Sequence, residues 1–246
     1  MTDDALSNPR GQTALQRASD GRAGAGSVWD RRTWKEYLVG GEAPALVLIT
    51  VFVVVAFSEL FTGGPARWGL SAQALSEGRW STLGTHMFAH AGLYHLTMNC
   101  SGLLALTPIV VQRFGRGVSG WLRYGFLYGL SGLVAAGTYL ALHPTGTLPM
   151  VGASGAICGL WGAVTRIGEN GAFVPIRSLQ VWRQIKAFVI NNAILFGILF
   201  VLVLMSGGKG GLAWEAHVGG FVFGLLAVPW LAPAIAARPD ETSEQA

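Results

Sequence analysis

Charged side chains are scarce in this sequence. Asp, Glu, Lys and Arg make up 12% of its 246 residues, about half the roughly 25% of an average soluble domain. The scarcity is concentrated, because residues 80–112, 124–165, 187–208 and 216–237 contain none of the four. Cysteine is almost absent as well: Cys100 and Cys158 stand on different apolar stretches, and they lack the close spacing of a metal-binding pair, which points away from a disulfide framework. No His-Glu-x-x-His occurs, and the apolar stretches that carry histidine hold no carboxylate except Glu215 at an edge. Metal: none is therefore the expectation for this site. The net charge of +4 is spread over connections without a basic and aromatic patch, so no nucleic acid partner is expected.

What the chain has instead is hydrophobic length. Half of it is hydrophobic, 51%, and a membrane-spanning helix needs about 20 apolar residues, so the stretch 124–165 holds two, divided by the loop His143-Pro144-Thr145-Gly146-Thr147-Leu148-Pro149. Six spans are predicted, at 43–61, 85–107, 119–141, 152–168, 187–206 and 215–236. Residues 1–42, polar and without an early apolar run, read as a cytoplasmic leader that is disordered or loosely folded. Residues 43–236 form the membrane domain, and 237–246 a cytoplasmic tail. Most of the basic residues fall before span one, between spans two and three, between four and five, or after six, leaving Arg67, Arg79 and Lys209 on the other side. Since basic residues accumulate on the cytoplasmic side, both termini are expected there. Trp68 and Trp80 flank an amphipathic stretch that reads as lying in the membrane interface.

In this topology spans two, four and six run in the same direction, and their first turns carry the polar groups. His90, His95 and Asn99 lie on the second, Ser154 on the fourth and His217 on the sixth. Ionisable groups at membrane depth are costly and usually face a protein interior or a water-filled cavity. Span four runs from Gly152 to Arg166, about 22 Å of helix, which is short for a bilayer and implies a sunken start. A helix that begins there offers free backbone N–H groups beside Ser154. Gly155, Gly159 and Gly162 make a smooth ridge on that helix, and Gly220 and Gly224 share a face with His217, so two small faces can approach closely. His95 and Asn99 are i and i+4 neighbours on one face, while His86 and His90 are placed to brace the outer loop. Taken singly, each of these features is a packing motif or an interhelical hydrogen bond. Together they supply a nucleophile, a base and hydrogen-bond donors.

These residues resemble the rhomboid family of intramembrane serine proteases. The likeness rests on His90-Ala-Gly-Leu-Tyr-His95-Leu-Thr-Met-Asn99, on Gly152-Ala-Ser154-Gly155 and on Ala216-His217-Val-Gly-Gly220-Phe-Val-Phe-Gly224, in that order. It implies an all-α membrane protein, a six-transmembrane-helix rhomboid-like bundle with a short, sunken fourth helix, in a bacterial inner membrane. It further implies a dyad of Ser154 as nucleophile and His217 as general base and acid, with His95, Asn99 and the Ser154 backbone N–H as the oxyanion hole. His90, Gly152, Gly155, Gly220 and Gly224 would be supporting residues. The expected substrates are transmembrane protein segments cut within the lipid bilayer, with no cofactor. Two positions depart from the family pattern: Arg79-Trp80 stands where Trp-Arg is usual, and Cys158 stands where the residue four after the nucleophile is often aromatic. The smaller Cys158 side chain is expected to leave His217 less firmly oriented, lowering the rate or altering specificity. A rhomboid-like pseudoprotease that binds transmembrane helices without cutting them is one rival reading. A small-solute transporter is another, disfavoured because spans 1–3 and 4–6 show no obvious internal repeat.

Overall fold

The computed structural model describes residues 41–205 and 213–232. Among them are eight α-helices and no strand: α1 (Ala43–Glu59), α2 (Ala72–Ser76), α3 (Thr82–Thr85), α4 (Leu93–Phe114), α5 (Val118–Leu142), α6 (Ser154–Arg166), α7 (Leu179–Met205) and α8 (Trp214–Leu231), with a 3₁₀ turn at Pro65–Arg67. Four of them, α4, α5, α7 and α8, are long and apolar enough to cross a membrane. The apolar α1 has 17 residues, about 26 Å, and α6 has 13, about 20 Å at 1.5 Å per residue. These six helices correspond to the six expected spans. Val53, Val54 and Phe57 on α1 and Phe200 and Leu204 on α7 are exposed, the outward-facing apolar surface of helices solvated by lipid.

Four boundaries differ from the sequence expectation by five residues or more, one of them the end of the second long helix, which runs on to Phe114 past the expected 107 and stops where Gly115 takes φ 96°. The second long helix begins at Leu93, not at residue 85, because Gly92 at φ 100° cannot continue a helix. His86 and His90 consequently lie in the connection after α3. The fifth begins at Leu179 rather than residue 187, its first turn capped by Ser178, whose Oγ accepts from the Val181 N–H at 3.3 Å, and it takes Arg183 and Lys186 into its polar first turns. The last ends at Leu231 instead of 236: Ala232 is extended, at ψ 147°, as a residue preceding proline must be. Of the expected leader and tail, residues 1–40 and 237–246 lie outside the described residues.

The short α6 sits in the middle of the bundle. It packs most extensively on α8 and also meets α5, α4 and α7. Nine of its positions, from Gly155 to Thr165, are buried. That crowding is possible because the α6–α8 seam has no side chains at its closest points. A Cβ on Gly220 would overlap the Gly155 carbonyl, one on Gly224 the Gly159 carbonyl, and one on Gly162 the Phe221 carbonyl. Small residues let helix backbones approach in lipid, where hydrophobic association gives no advantage.

The connection leading into α6 is tied down from two sides. Leu70 and Met150 exchange both backbone hydrogen bonds, at 2.8 and 2.9 Å, and the Tyr139 hydroxyl donates to the Leu148 carbonyl at 2.7 Å. The Gly152 N–H donates to the His86 carbonyl at 2.8 Å. The first turn of α6 is thereby fixed before its helix begins.

Candidate active site

Ser154 is the first helical residue of α6 and His217 the fourth of α8. With the glycine seam holding the two helices together, the Ser154 Oγ lies 2.8 Å from His217 Nε2. His217 is buried, 3% exposed, so its competition with water for this hydrogen bond is small.

His95 reaches the same turn from α4. A Cβ on Gly152 would lie 2.5 Å from His95 Cε1 and 2.6 Å from Nε2. Glycine is required there twice over, since Gly152 also has φ 113°. The Ala91 N–H donates to His95 Nδ1 at 3.4 Å. In neutral imidazole one nitrogen accepts and the other donates, so the His95 proton sits on Nε2, the nitrogen that faces the Gly152 turn. Asn99, one helical turn further along α4, is buried. Its Nδ2 donates to the His95 carbonyl at 2.8 Å, which occupies one of the two amide protons and leaves the other.

His90 stands behind His95. Their ring centroids are 5.3 Å apart, edge to face, and the far side of His90 rests on Phe52 of α1 at 4.8 Å. Its Nδ1 donates to the Phe88 carbonyl at 3.1 Å. Phe52, His90, His95 and Gly152 thus form a continuous row from α1 to the start of α6. Burial, reinforced by His95, pulls the His90 imidazole down to about 4, and burial lowers His86 as well. His86 is bound through Nδ1 to the Thr82 carbonyl at 2.9 Å. Both histidines are thus bonded to main-chain carbonyls of the connection itself. Among the described residues no three His, Cys, Asp or Glu converge as a metal site would require.

One partner of the site carries no sequence signature. Asn192 on α7 places its Oδ1 2.6 Å from His217 Nδ1. An asparagine in an apolar helix has no periodicity or motif to mark it, and only its presence in the uncharged stretch 187–208 sets it apart. Cys158 lies one turn below Ser154, packed with Val181, Phe188, Phe221 and Leu225. There Phe188 stacks on Phe221 at 4.0 Å. Aromatic rings from α7 and α8 occupy the level at which the family pattern often has an aromatic at position 158. Arg79 pairs with neighbouring Glu77 at 3.1 Å, away from these groups in sequence.

A serine hydrogen-bonded to a buried histidine, at the start of a short helix and between two His-bearing helices, is accompanied by a match in sequence. Residues 77–234 fit the model of the Rhomboid domain. The chain belongs to the rhomboid family. Its helices make it a rhomboid integral membrane protein. Two relatives point in different directions. Inactive RHOMBOID-like protein 8 of Arabidopsis thaliana is 29% identical over 157 residues, 63% of this chain and 39% of that protein. Rhomboid protease GluP of Bacillus subtilis (strain 168) is 28% identical over 147 residues, 60% of this chain and 26% of the relative. The matched region thus spans well under half the length of either rhomboid relative.

Proposed function

We propose that the chain is an intramembrane serine endopeptidase that cleaves transmembrane segments of membrane proteins. The observation that carries this reading is the 2.8 Å contact between Ser154 Oγ and His217 Nε2, inside a bundle of lipid-facing helices. A hydroxyl is a weak nucleophile until a base takes its proton, and a positioned base contributes about 10²–10⁴-fold. Here Oγ attacks the peptide carbonyl as its proton passes to His217 Nε2. The oxyanion is held by His95 Nε2–H, by the free Asn99 amide proton and by the Ser154 backbone N–H. The C–N bond then breaks, with the proton delivered to the leaving amine. Water, activated by the same imidazole, hydrolyses the acyl-enzyme.

The site residues of this reading are Ser154 and His217 for the chemistry and His95 and Asn99 for the oxyanion, with Gly152, Gly155, Gly220 and Gly224 setting the distances. The membrane domain extends over 43–236, with the leader and tail in the cytoplasm of a bacterial cell and the substrate helix arriving through the bilayer. The existence of an inactive relative keeps one second reading in play, a pseudoprotease that binds transmembrane helices. Labelling of detergent-purified protein with a fluorophosphonate separates the two. The protease reading expects labelling of the wild type that Ser154→Ala and His217→Ala abolish. A folded wild type that stays unlabelled would favour the helix binder.

A further inference from the structure

We infer that Asn192 is a positioning residue for His217, which makes the competence of the base depend on the seating of α7. The inference rests on the protease reading above, but its geometric part stands on its own. Asn192 Nδ2 donates to the Phe188 carbonyl of its own helix at 2.9 Å. This leaves Oδ1, an acceptor only, as the atom 2.6 Å from His217 Nδ1. A hydrogen bond between them requires the proton on Nδ1. The neutral ring must then present a lone pair on Nε2, the nitrogen that faces Ser154 Oγ. Asn192 thus selects the one neutral tautomer able to accept the serine proton. A carboxylate would do this too, at the cost of a charge within the membrane. The amide does it without charge.

The helix that supplies this group is held unevenly. Towards its start, Gln180 Nε2 donates to the carbonyls of Thr165 and Ile167 at 3.3 and 2.9 Å, and the Trp161 indole donates to Gln184 at 3.1 Å. Val181 and Phe188 are its buried residues. Beyond Asn192 nothing from residue 193 to 205 is buried. A cavity of about 310 Å³ opens between α7 and α8, lined by Phe196, Trp214 and Val218 among apolar groups and by Asn192. Asn192 therefore lies just past the last buried residue of α7, Phe188, and its bond to His217 ties that helix to the reacting pair. Any displacement of α7 from α8 wide enough to break that bond removes the tautomer constraint, so proton transfer is faster with α7 seated.

The test uses full-length protein in detergent with selectively ¹⁵N-labelled histidine, His217 being assigned by difference from His217→Gln. The wild type is expected to show His217 as the Nδ1–H tautomer, and Asn192→Leu is expected to lose that preference. Fluorophosphonate labelling of Asn192→Leu should slow by about 10-fold, less than the 10²–10⁴ worth of a positioned base because the base itself remains. Asn192→Asp should recover much of the rate. Its carboxylate stabilises the imidazolium, so the acidic limb of its rate–pH profile moves to higher pH, a shift that a merely structural role would not produce. An Nε2–H tautomer in the wild type overturns the inference. So does an Asn192→Leu protein with wild-type tautomer, rate and pH profile. A wild type with the expected tautomer, lost in Asn192→Leu, that fails to label sinks the protease reading while upholding the positioning role.

Discussion

Gly152 has no side chain, and the His95 ring fills the space one would need. With φ at 113° and a Cβ position 2.5 Å from His95 Cε1, Gly152→Ala must displace either the ring or the turn that presents Ser154. The expected result is a loss of fluorophosphonate labelling larger than the loss of thermal stability, measured on the same preparation. The neighbouring His90 predicts a pH dependence of stability. Its folded value, about 4, lies below the ordinary 6.5, so the protein holds it neutral. The stability this represents is complete above about pH 6.5 and is lost as pH falls from there towards 4, because the unfolded chain takes up the proton first. Thermal midpoints should therefore fall between pH 7.5 and 5, and His90→Gln should flatten that fall. Among the residues, Ser154 and His217 are legible from sequence because each stands inside a motif and the motifs keep a fixed order. Asn192 is not, since its role depends on a contact between helices that nothing along the chain encodes.

At the scale of the element, the α6–α8 seam governs the distance between Ser154 and His217. Gly220→Ala inserts a methyl into the Gly155 carbonyl, and overpacking of this kind costs about 1–3 kcal/mol, occasionally more. A control lies on α5, where a Cβ at Gly125 meets nothing within 4 Å. Gly125→Ala should be neutral or stabilise, as alanine is favoured over glycine within a helix by roughly 0.5–1 kcal/mol. Opposite signs for the two substitutions in a thermal melt would support the seam, whereas equal effects would refute it. The helices themselves were legible from the uncharged stretches. Their ends were less so, because hydropathy does not register a backbone break such as Gly92 or a polar turn that remains helical, such as the start of α7 with Arg183 and Lys186.

For the whole molecule, the distribution of basic residues predicts an orientation that can be tested chemically. In a variant with Cys100 and Cys158 replaced, Ser76→Cys and Arg116→Cys each add one thiol at an exposed site. An impermeant maleimide applied to intact cells should label the first and spare the second until the cells are opened, since Arg116 lies in the basic connection between α4 and α5 and Ser76 in the connection before α4. The reverse pattern would mean the opposite topology, and labelling of both would refute the assignment of the two connections to opposite sides. The side to which α6 opens follows from the same result, because its first turn is tied through Gly152 to His86 and through Met150 to Leu70.

The seam between α6 and α8 also shapes how such a protein can change over generations. Where two side chains meet, a larger residue on one side can be accommodated by a smaller one on the other, and paired changes let lineages drift. Where Gly220 and Gly224 meet the carbonyls of Gly155 and Gly159, the opposing surface is main chain and has nothing left to trim. A genetic screen for suppressors of Gly220→Ala should accordingly return true revertants, and no compensating substitution at 155 or 159.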